Sequence, residues 1–290
     1  MRIDLHAHST ASDGTQPPAD VMHRARAAGL DVVALTDHDT VAGHAAAAAA
    51  LPAALTLVPG AEISCEVVEA DGERVSLHLL AYLFDPAEPE FAAARDRLRT
   101  DRSRRADDMV RKLQELGAPI TVERVHEIAA GGAIGRPHVA RALVEAGVVP
   151  DVPGAFTPEW IGAGGRAYVD KYALGPIEAI TLVRKAGGVA VFAHPGAITR
   201  GALVSDEVTA SMAAAGMFAL EVDHPDHDEP TRIRLRALAT GLGLHATGSS
   251  DDHGSITGHR LGCETTAQTV WEALCAGATG CRPIVAAEPA

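Results

Sequence analysis

The sequence MRIDLHAHSTASDGT, residues 1–15, begins like a β-strand and continues into a polar loop. Side chains alternate between the two faces of a strand, so His6 and His8 are expected to point in the same direction. Asp13 follows a few residues later, and two imidazoles with a carboxylate are typical of the start of a divalent-metal site. Because the chain contains 14 histidines, such a pair can also arise by chance, and the other strands must supply further ligands.

The length and composition predict an α/β protein with a large core. The chain has 290 residues, of which 47% are hydrophobic, enough for one large domain or a domain with an inserted subdomain. No apolar run approaches the ~20 residues of a membrane span. The start of the sequence has no basic segment followed by an apolar one, so a cytoplasmic location is expected. The four cysteines form no Cys-x-x-Cys pair, which favours unpaired thiols in a reducing compartment.

The net charge of −13 limits the partners that the chain can bind. A strongly acidic protein is a poor candidate for holding long nucleic acid by its phosphates, so a stable nucleic-acid complex is not expected. Bound divalent ions would offset part of this charge locally. A small phosphorylated ligand therefore remains compatible with the composition.

Strand-like and helix-like segments alternate along most of the chain, and one long stretch interrupts the alternation. Residues 55–68 and 74–84 are expected to form an antiparallel hairpin, because Asp71-Gly72 favours a tight turn. Residues 89–165 contain only helical patterns and are interpreted as a helical insertion, which is expected to fold over the barrel mouth and to set substrate size. The alternating body then comprises residues 1–88 and 166–290, and it is expected to resume with RAYVDK, residues 166–171, as a strand.

Residues of the kind that bind metals fall at the C-terminal end of nearly every strand expected in the body. They are His6, His8, His38, Glu62, His78, His194, Glu221, Asp223, Asp251 and His253. In a parallel barrel these strand ends meet at one face, where barrel enzymes keep their active sites. Burying so many polar groups together is costly unless each finds a partner, and divalent metals supply such partners. The pattern therefore predicts a multinuclear metal site.

Six motifs carry a resemblance to a known family. DLHAHS, LTDHDT, PGAEIS, HLLAY, FAHP and SSDDHG occur in the order found in the PHP (polymerase and histidinol phosphatase) domain. GRPHVARALVEAG, AYVDKY and AGGVAVFAHPG are similar to the branch that hydrolyses nucleoside 3′,5′-bisphosphates and trims the 5′ ends of short RNA. The resemblance implies a distorted seven-stranded α/β barrel with a small helical insertion. It also implies two or three bound divalent ions. Mixed histidine and carboxylate ligands are suited to manganese, zinc or iron.

The resemblance also implies the ligands of those ions. They are His6, His8, Asp13, His38, Glu62, His78, His194, Asp251 and His253. Glu62 would bridge two ions, with His6, His8 and Asp251 on the first and His78 and His194 on the second. Asp13, His38 and His253 would bind a third ion. SSDDHG departs from the family in having Ser249 where glycine is common, which should leave the ligands intact.

The catalytic groups expected among these residues are Glu62, Asp251 and His253. A general acid is not identified by the sequence: His227 in HPDHD or a water on a bound ion could serve. A second phosphate of the substrate needs cations, and Arg136 precedes the free amides of a helix start, where anions are favoured. Lys171 and Arg200 could contribute or could be solvated surface charges. His138 could contact phosphate or simply belong to the helix start.

The leading functional interpretation is a phosphoesterase acting on small nucleotides, chiefly on the 3′-phosphate of nucleoside 3′,5′-bisphosphates. Short single-stranded RNA is a further expected substrate. A phosphatase of the histidinol-phosphate type is the alternative among enzymes. Two alternatives belong to other classes: a nuclease or proofreading module of a larger replication assembly, and a metal-stabilised binding protein without turnover. The acidic charge argues against the former and the complete ligand set against the latter.

Overall fold

The strands form one sheet that curves into a barrel, as seen in a computed structural model that describes residues 1–198 and 202–286. Its strands are β1 (Ile3–Asp4), β2 (Val32–Leu35), β3 (Thr56–Val68), β4 (Arg74–Tyr82), β5 (Val189–Phe192), β6 (Ala219–Asp223), β7 (His245–Gly248) and β8 (Ile284–Val285). The first seven lie side by side in chain order, and β8 pairs with β3. A parallel bridge between Ala7 and Asp252 brings the two edges together, so the barrel is nearly closed. This confirms the predicted distorted seven-stranded barrel.

The hairpin expected around Asp71-Gly72 is present and interrupts the parallel order. β3 and β4 are antiparallel over nine residue pairs, and Gly72 at their turn has a φ of 88°. Such a positive φ is costly for side chains with a Cβ and easy for glycine. β4 also pairs antiparallel with β5, whereas β1–β2–β3 and β5–β6–β7 are parallel. The hairpin therefore replaces one β/α crossover of a regular barrel.

Ten α-helices lie in the described part of the chain. They are α1 (Pro18–Ala27), α2 (His44–Ala49), α3 (Pro89–Glu115), α4 (Val122–Ala129), α5 (Arg136–Glu145), α6 (Val152–Ala155), α7 (Pro176–Lys185), α8 (Asp206–Ala214), α9 (Glu229–Gly241) and α10 (Gln268–Gly277). Proline stands in the first turn of several of them, where its missing N–H costs no hydrogen bond. None of the helices in residues 1–198 and 202–286 is long and apolar enough to cross a membrane.

The insertion has a hydrophobic core of its own, which is joined to the barrel by α3. Phe91 and Leu98, in the first half of α3, pack in the same core as the hairpin and α7. Met109 and Leu113, in its second half, pack with α4 and α5 around Val139. α3 is thus shared between the two cores, and the boundary placed at residue 89 stays a prediction about where the insertion begins.

The prediction of a strand at residues 166–171 is wrong. This segment is irregular, although Tyr168 and Val169 are strand-forming residue types. Its carbonyl groups accept from side chains of α3 instead of from a neighbouring strand: Lys112 Nζ donates to Tyr168 O at 2.7 Å and Arg105 Nε to Val169 O at 2.6 Å. The backbone therefore has its partners without joining the sheet, and pairing with the hairpin is limited to a bridge between Leu174 and Cys65.

Candidate metal centre

The barrel brings all nine predicted ligands to one end. His6 and His8 follow β1, His38 follows β2, His194 follows β5, and Asp251 and His253 follow β7. Glu62 and His78 lie within the hairpin strands, and Asp13 lies in the loop after His8. Two isolated parallel bridges, Ala7 with Asp252 and His38 with Glu62, hold these chain segments next to each other after the regular strands have ended.

Glu62 lies at the centre of the cluster, and its Oε2 atom faces the first group. His6 Nε2 is 3.2 Å and His8 Nε2 is 3.0 Å from Oε2. Asp251 Oδ1 is 3.2 Å from His6 Nε2 and 3.3 Å from His8 Nε2. Ligands bound ~2.1 Å from a common tetrahedral ion are separated by roughly such distances. These four side chains can therefore surround one ion.

The Oε1 atom of Glu62 faces the second group. His78 Nδ1 lies 2.7 Å from it and His194 Nε2 lies 2.9 Å from it. Because the two carboxylate oxygens face different sets of imidazoles, Glu62 has the placement of a bridging ligand.

The third group lies nearer to the solvent. Asp13 Oδ2 is 3.6 Å from His38 Nε2, and Asp13 Oδ1 is 3.4 Å from His253 Nε2. The other ring nitrogen of His38, Nδ1, is 3.2 Å from Glu62 Oε2. His38 therefore lies between Glu62 and Asp13 of the third group, a position that the residue pattern had not indicated.

The buried nitrogens of the cluster fit a bound cation. His38 Nδ1 and His78 Nδ1 are buried without a hydrogen-bond partner among the described residues, although each is close to Glu62. An orphaned buried nitrogen is costly, and an ion between it and the carboxylate removes that cost. Mixed imidazole and carboxylate donors are suited to manganese, zinc or iron, whereas calcium prefers oxygen alone. The residues present thus fit divalent metal ions.

The electrostatics keep the carboxylates ready to bind. Burial raises the pKa of Glu62, but His38, His78 and His6 outweigh it and hold that pKa well below its usual range. The pKa of Asp13 is likewise well below normal: its burial is outweighed by His38 and His253. Both groups are therefore charged near neutral pH. Burial lowers the pKa of His78, which favours the neutral imidazole that metals bind.

The proposed general acid His227 has both ring nitrogens engaged by the backbone. Nδ1 lies 2.9 Å from Val222 O, and Nε2 accepts from Gly196 N at 3.0 Å. The side chain is buried. Donation of a proton to a leaving group would require these bonds to break. In this structure His227 links the end of β6 to the loop after β5. Its catalytic role stays a prediction.

Three of the four residues predicted to bind phosphate are described, and Arg200 lies outside the described residues. Arg136 is the first residue of α5, and its guanidinium lies 5.3 Å from the centre of the Phe156 ring. His138 is buried, and its Nδ1 accepts from Gly135 N at 2.9 Å, so it caps the start of the same helix. Lys171 is half-buried in the irregular segment. No carboxylate forms an ion pair with Arg136 or Lys171 within the described ranges.

Arg102 is a site residue that the sequence reasoning missed. Its Nε donates to Asp39 Oδ2 at 2.5 Å and its NH2 group to Ser64 Oγ at 2.7 Å. Asp39 directly follows His38, so Arg102 links α3 to the edge of the metal centre. In the sequence it is one of many arginines in a charged helix, and no local pattern distinguishes it from the others.

Comparisons with known proteins agree with this geometry. Residues 4–87 match the PHP domain. A 3′,5′-nucleoside bisphosphate phosphatase of Chromobacterium violaceum is 32% identical, with 94% of this chain and 96% of the relative covered. The 5′-3′ exoribonuclease Rnm of Escherichia coli is 31% identical, with 93% and 92% covered.

A solved structure from Bifidobacterium adolescentis, described as a candidate metal-dependent phosphoesterase, is 36% identical and superposes with a TM-score of 0.87. The alignment covers 96% of each chain. Sequence identity above 30% over nearly the full length of these relatives shows that the protein belongs to the PHP domain family of phosphoesterases.

Proposed function

We propose that this protein hydrolyses the 3′-phosphate of nucleoside 3′,5′-bisphosphates and also shortens small RNA from the 5′ end. One observation carries the proposal: Arg102, Arg105 and Arg136 of the insertion line one pocket, and Gly135 at its edge lies next to the metal centre. A Cβ atom added to Gly135 would lie 3.5 Å from both Asp13 Oδ2 and an Arg102 nitrogen. The start of α5, with Arg136, is therefore adjacent to the third ligand group. The activities of the C. violaceum and E. coli relatives support this choice of substrate.

We assign the ligands to two or three divalent ions as the family resemblance implies. His6, His8 and Asp251 would hold the first ion, His78 and His194 would hold the second, and Glu62 would be shared between them. Asp13, His38 and His253 would hold the third. When bound, such ions supply a nucleophile from water at neutral pH and neutralise charge on the phosphoryl oxygens.

The exposure of the ligands indicates where the scissile phosphate enters. The side chains of His6 and Asp251 are 0% exposed, whereas those of His253 and His78 are 12% and 22% exposed. The substrate therefore approaches over His78 and His253 while the buried side chains form the floor. Glu62 and Asp251 hold the imidazoles beneath the phosphate, and His253, which lies beside Asp13, is at the rim where the phosphate enters.

The other phosphate of the substrate is held by a group of cations. It consists of Arg102, Arg105 and Arg136 of the insertion and Lys171, which follows the insertion. Burial and the charges of Arg102 and Arg105 lower the pKa of Lys171 to about 8. Crowded positive groups of this kind repel one another, and an arriving phosphate relieves that repulsion. Arginine adds paired hydrogen bonds to the phosphate oxygens.

A substrate panel with Mn²⁺ tests the proposal. We expect adenosine 3′,5′-bisphosphate to be converted to adenosine 5′-monophosphate and inorganic phosphate with a higher kcat/KM than that for histidinol phosphate. Short 5′-phosphorylated RNA should release mononucleotides. Preference for histidinol phosphate would support the other phosphatase type, and formation of adenosine 3′-monophosphate would show that the wrong phosphate had been assigned to the metal centre.

A further inference from the structure

Glu221 is a fully buried carboxylate that the proposed ligand set leaves out. It lies in β6, and its side chain is 0% exposed. Oε1 lies 3.0 Å from His6 Nδ1 and also accepts from Ser249 Oγ. Oε2 accepts from the backbone N–H of His194 at 2.7 Å. One carboxylate therefore connects the ends of three other strands, β1, β5 and β7, beneath the metal centre.

The contact with His6 determines which ring nitrogen faces the cluster. A carboxylate can only accept, so His6 carries its proton on Nδ1. The lone pair of Nε2 then points toward Glu62 and Asp251, each 3.2 Å away. Metal-binding histidines commonly donate their other ring N–H to a carboxylate, which fixes the ring orientation and makes the ligand nitrogen more basic.

The contact with His194 supports an unusual backbone conformation. His194 has a φ of 34°, a region that residues with a side chain rarely adopt. Such a conformation is costly and persists only where the surroundings hold it. The bond from His194 N to Glu221 is one such restraint, and it keeps the ring of His194 within 2.9 Å of Glu62 Oε1.

We infer that Glu221 is a positioning residue that holds His6 in the Nδ1–H tautomer and His194 in its ligand conformation, and so raises the affinity for divalent metal. Glu221 acts through the two histidines, since its oxygens bond to His6 Nδ1 and to the backbone N–H of His194 and not to the ring nitrogens that face Glu62. This inference rests on the proposed ligand set and concerns the residue that holds two of those ligands, His6 and His194, in place.

Glu221→Gln tests the inference, because an amide has only one acceptor oxygen. Whichever way it is turned, its NH2 group faces either the His6 N–H or the His194 N–H. We expect the dissociation constant for Mn²⁺, measured by competition with a chromophoric chelator, to rise about 10–100-fold. The matched control is Asp223→Asn, which removes a carboxylate from the same strand where it pairs with Arg236 near the surface. Its Mn²⁺ affinity should equal that of the parent.

Two further measurements separate the possible failures. His6→Ala should weaken Mn²⁺ binding if the ligand set is right; if it does so while Glu221→Gln binds like the parent, only the positioning role is wrong. If His6→Ala also binds like the parent, the ligand set itself fails. Should Glu221→Gln not fold, ¹⁵N-histidine spectra of the unaltered, zinc-loaded protein decide, since His6 must carry its proton on Nδ1. A proton on Nε2 would overturn the inference.

Discussion

At the scale of single residues, Arg136 separates binding of the second phosphate from the chemistry. A charge-assisted contact contributes roughly 1.5–3 kcal/mol, which is about tenfold to a hundredfold in affinity. We therefore expect Arg136→Ala to lower kcat/KM for a nucleoside bisphosphate by about that factor. An aryl phosphate has only the scissile group and should be hydrolysed as before.

The control for this change is Arg124→Ala, which removes an exposed arginine of the same insertion that pairs with Glu127 and Glu145. It should leave both substrates unaffected. Equal losses of kcat/KM on the bisphosphate and the aryl phosphate in Arg136→Ala would show that Arg136 acts on the reacting phosphate or supports the fold.

Lys171 makes the second-phosphate site sensitive to pH. Burial and the neighbouring arginines lower its pKa to about 8, so the side chain is charged below that pH and neutral above it. Because kcat/KM reports groups of the free enzyme, its value for a bisphosphate should fall as pH rises through about 8. Dividing by kcat/KM for an aryl phosphate removes the pH effects of the metal centre, which both substrates share.

Lys171→Arg provides the matched variant for the pH prediction. Its guanidinium remains charged throughout this range, so the ratio of the two kcat/KM values should become flat between pH 7 and pH 9, a span taken as about one unit on either side of the lysine pKa. A ratio that falls equally in Lys171→Arg would mean that another group titrates.

At the scale of elements, the insertion is fitted to the loop that carries Asp13. Ala133 N donates to Ala11 O at 2.8 Å, and a Cβ atom added to Gly132 would lie 2.4 Å from Thr10 O. Only a glycine permits this approach. Gly132→Ala should therefore displace the start of α5 and raise KM for a bisphosphate severalfold while hydrolysis of an aryl phosphate continues.

Gly241→Ala is the control for this element, since nothing lies within 4 Å of the added Cβ at the end of α9. It should be neutral in both assays and should not lower the Tm, because alanine is favoured over glycine in a helix. If Gly132→Ala bound the bisphosphate as tightly as the parent does, the insertion would not position the second-phosphate site, and the proposed role of residues 89–165 in substrate choice would lose its support.

At the scale of the whole molecule, the sequence predicts the features that depend on neighbouring residues and not the contacts between distant ones. The β/α alternation, the Asp71-Gly72 turn and the polar strand ends were enough to predict an α/β body, the hairpin and a shared metal site, whereas the seven-stranded barrel and the set of nine ligands came from the family resemblance. The contacts of Arg102 with Asp39 and of Gly132 with Thr10 join residues far apart in the chain, so no local pattern announces them. The prediction of a strand at RAYVDK was wrong because side chains of α3 donate to the carbonyl groups that would otherwise pair with a neighbouring strand.

Within the site, too, the sequence predicts residue types but not the contacts between residues that are far apart in the chain. Which residue types could bind metal was readable from strand ends, but the shared position of His38 and the backbone bonds of His227 depend on how the ends pack together. Glu221 was visible as a polar strand end, and only its contacts with His6 and His194 distinguish it from a ligand.

The last prediction concerns metal removal, which acts on the whole molecule because the cluster joins strand ends along the entire barrel. Ions that bind only the folded chain stabilise it by mass action, by about 2.7 kcal/mol at a free concentration of 100 Kd. For a chain of this size that corresponds to several degrees in Tm. We expect calorimetry to show a lower Tm with EDTA than with Mn²⁺, and a smaller increase with Ca²⁺, which prefers oxygen ligands. Equal Tm values with EDTA and Mn²⁺ would contradict a metal-linked barrel mouth and, with it, the ligand set on which the proposed chemistry depends.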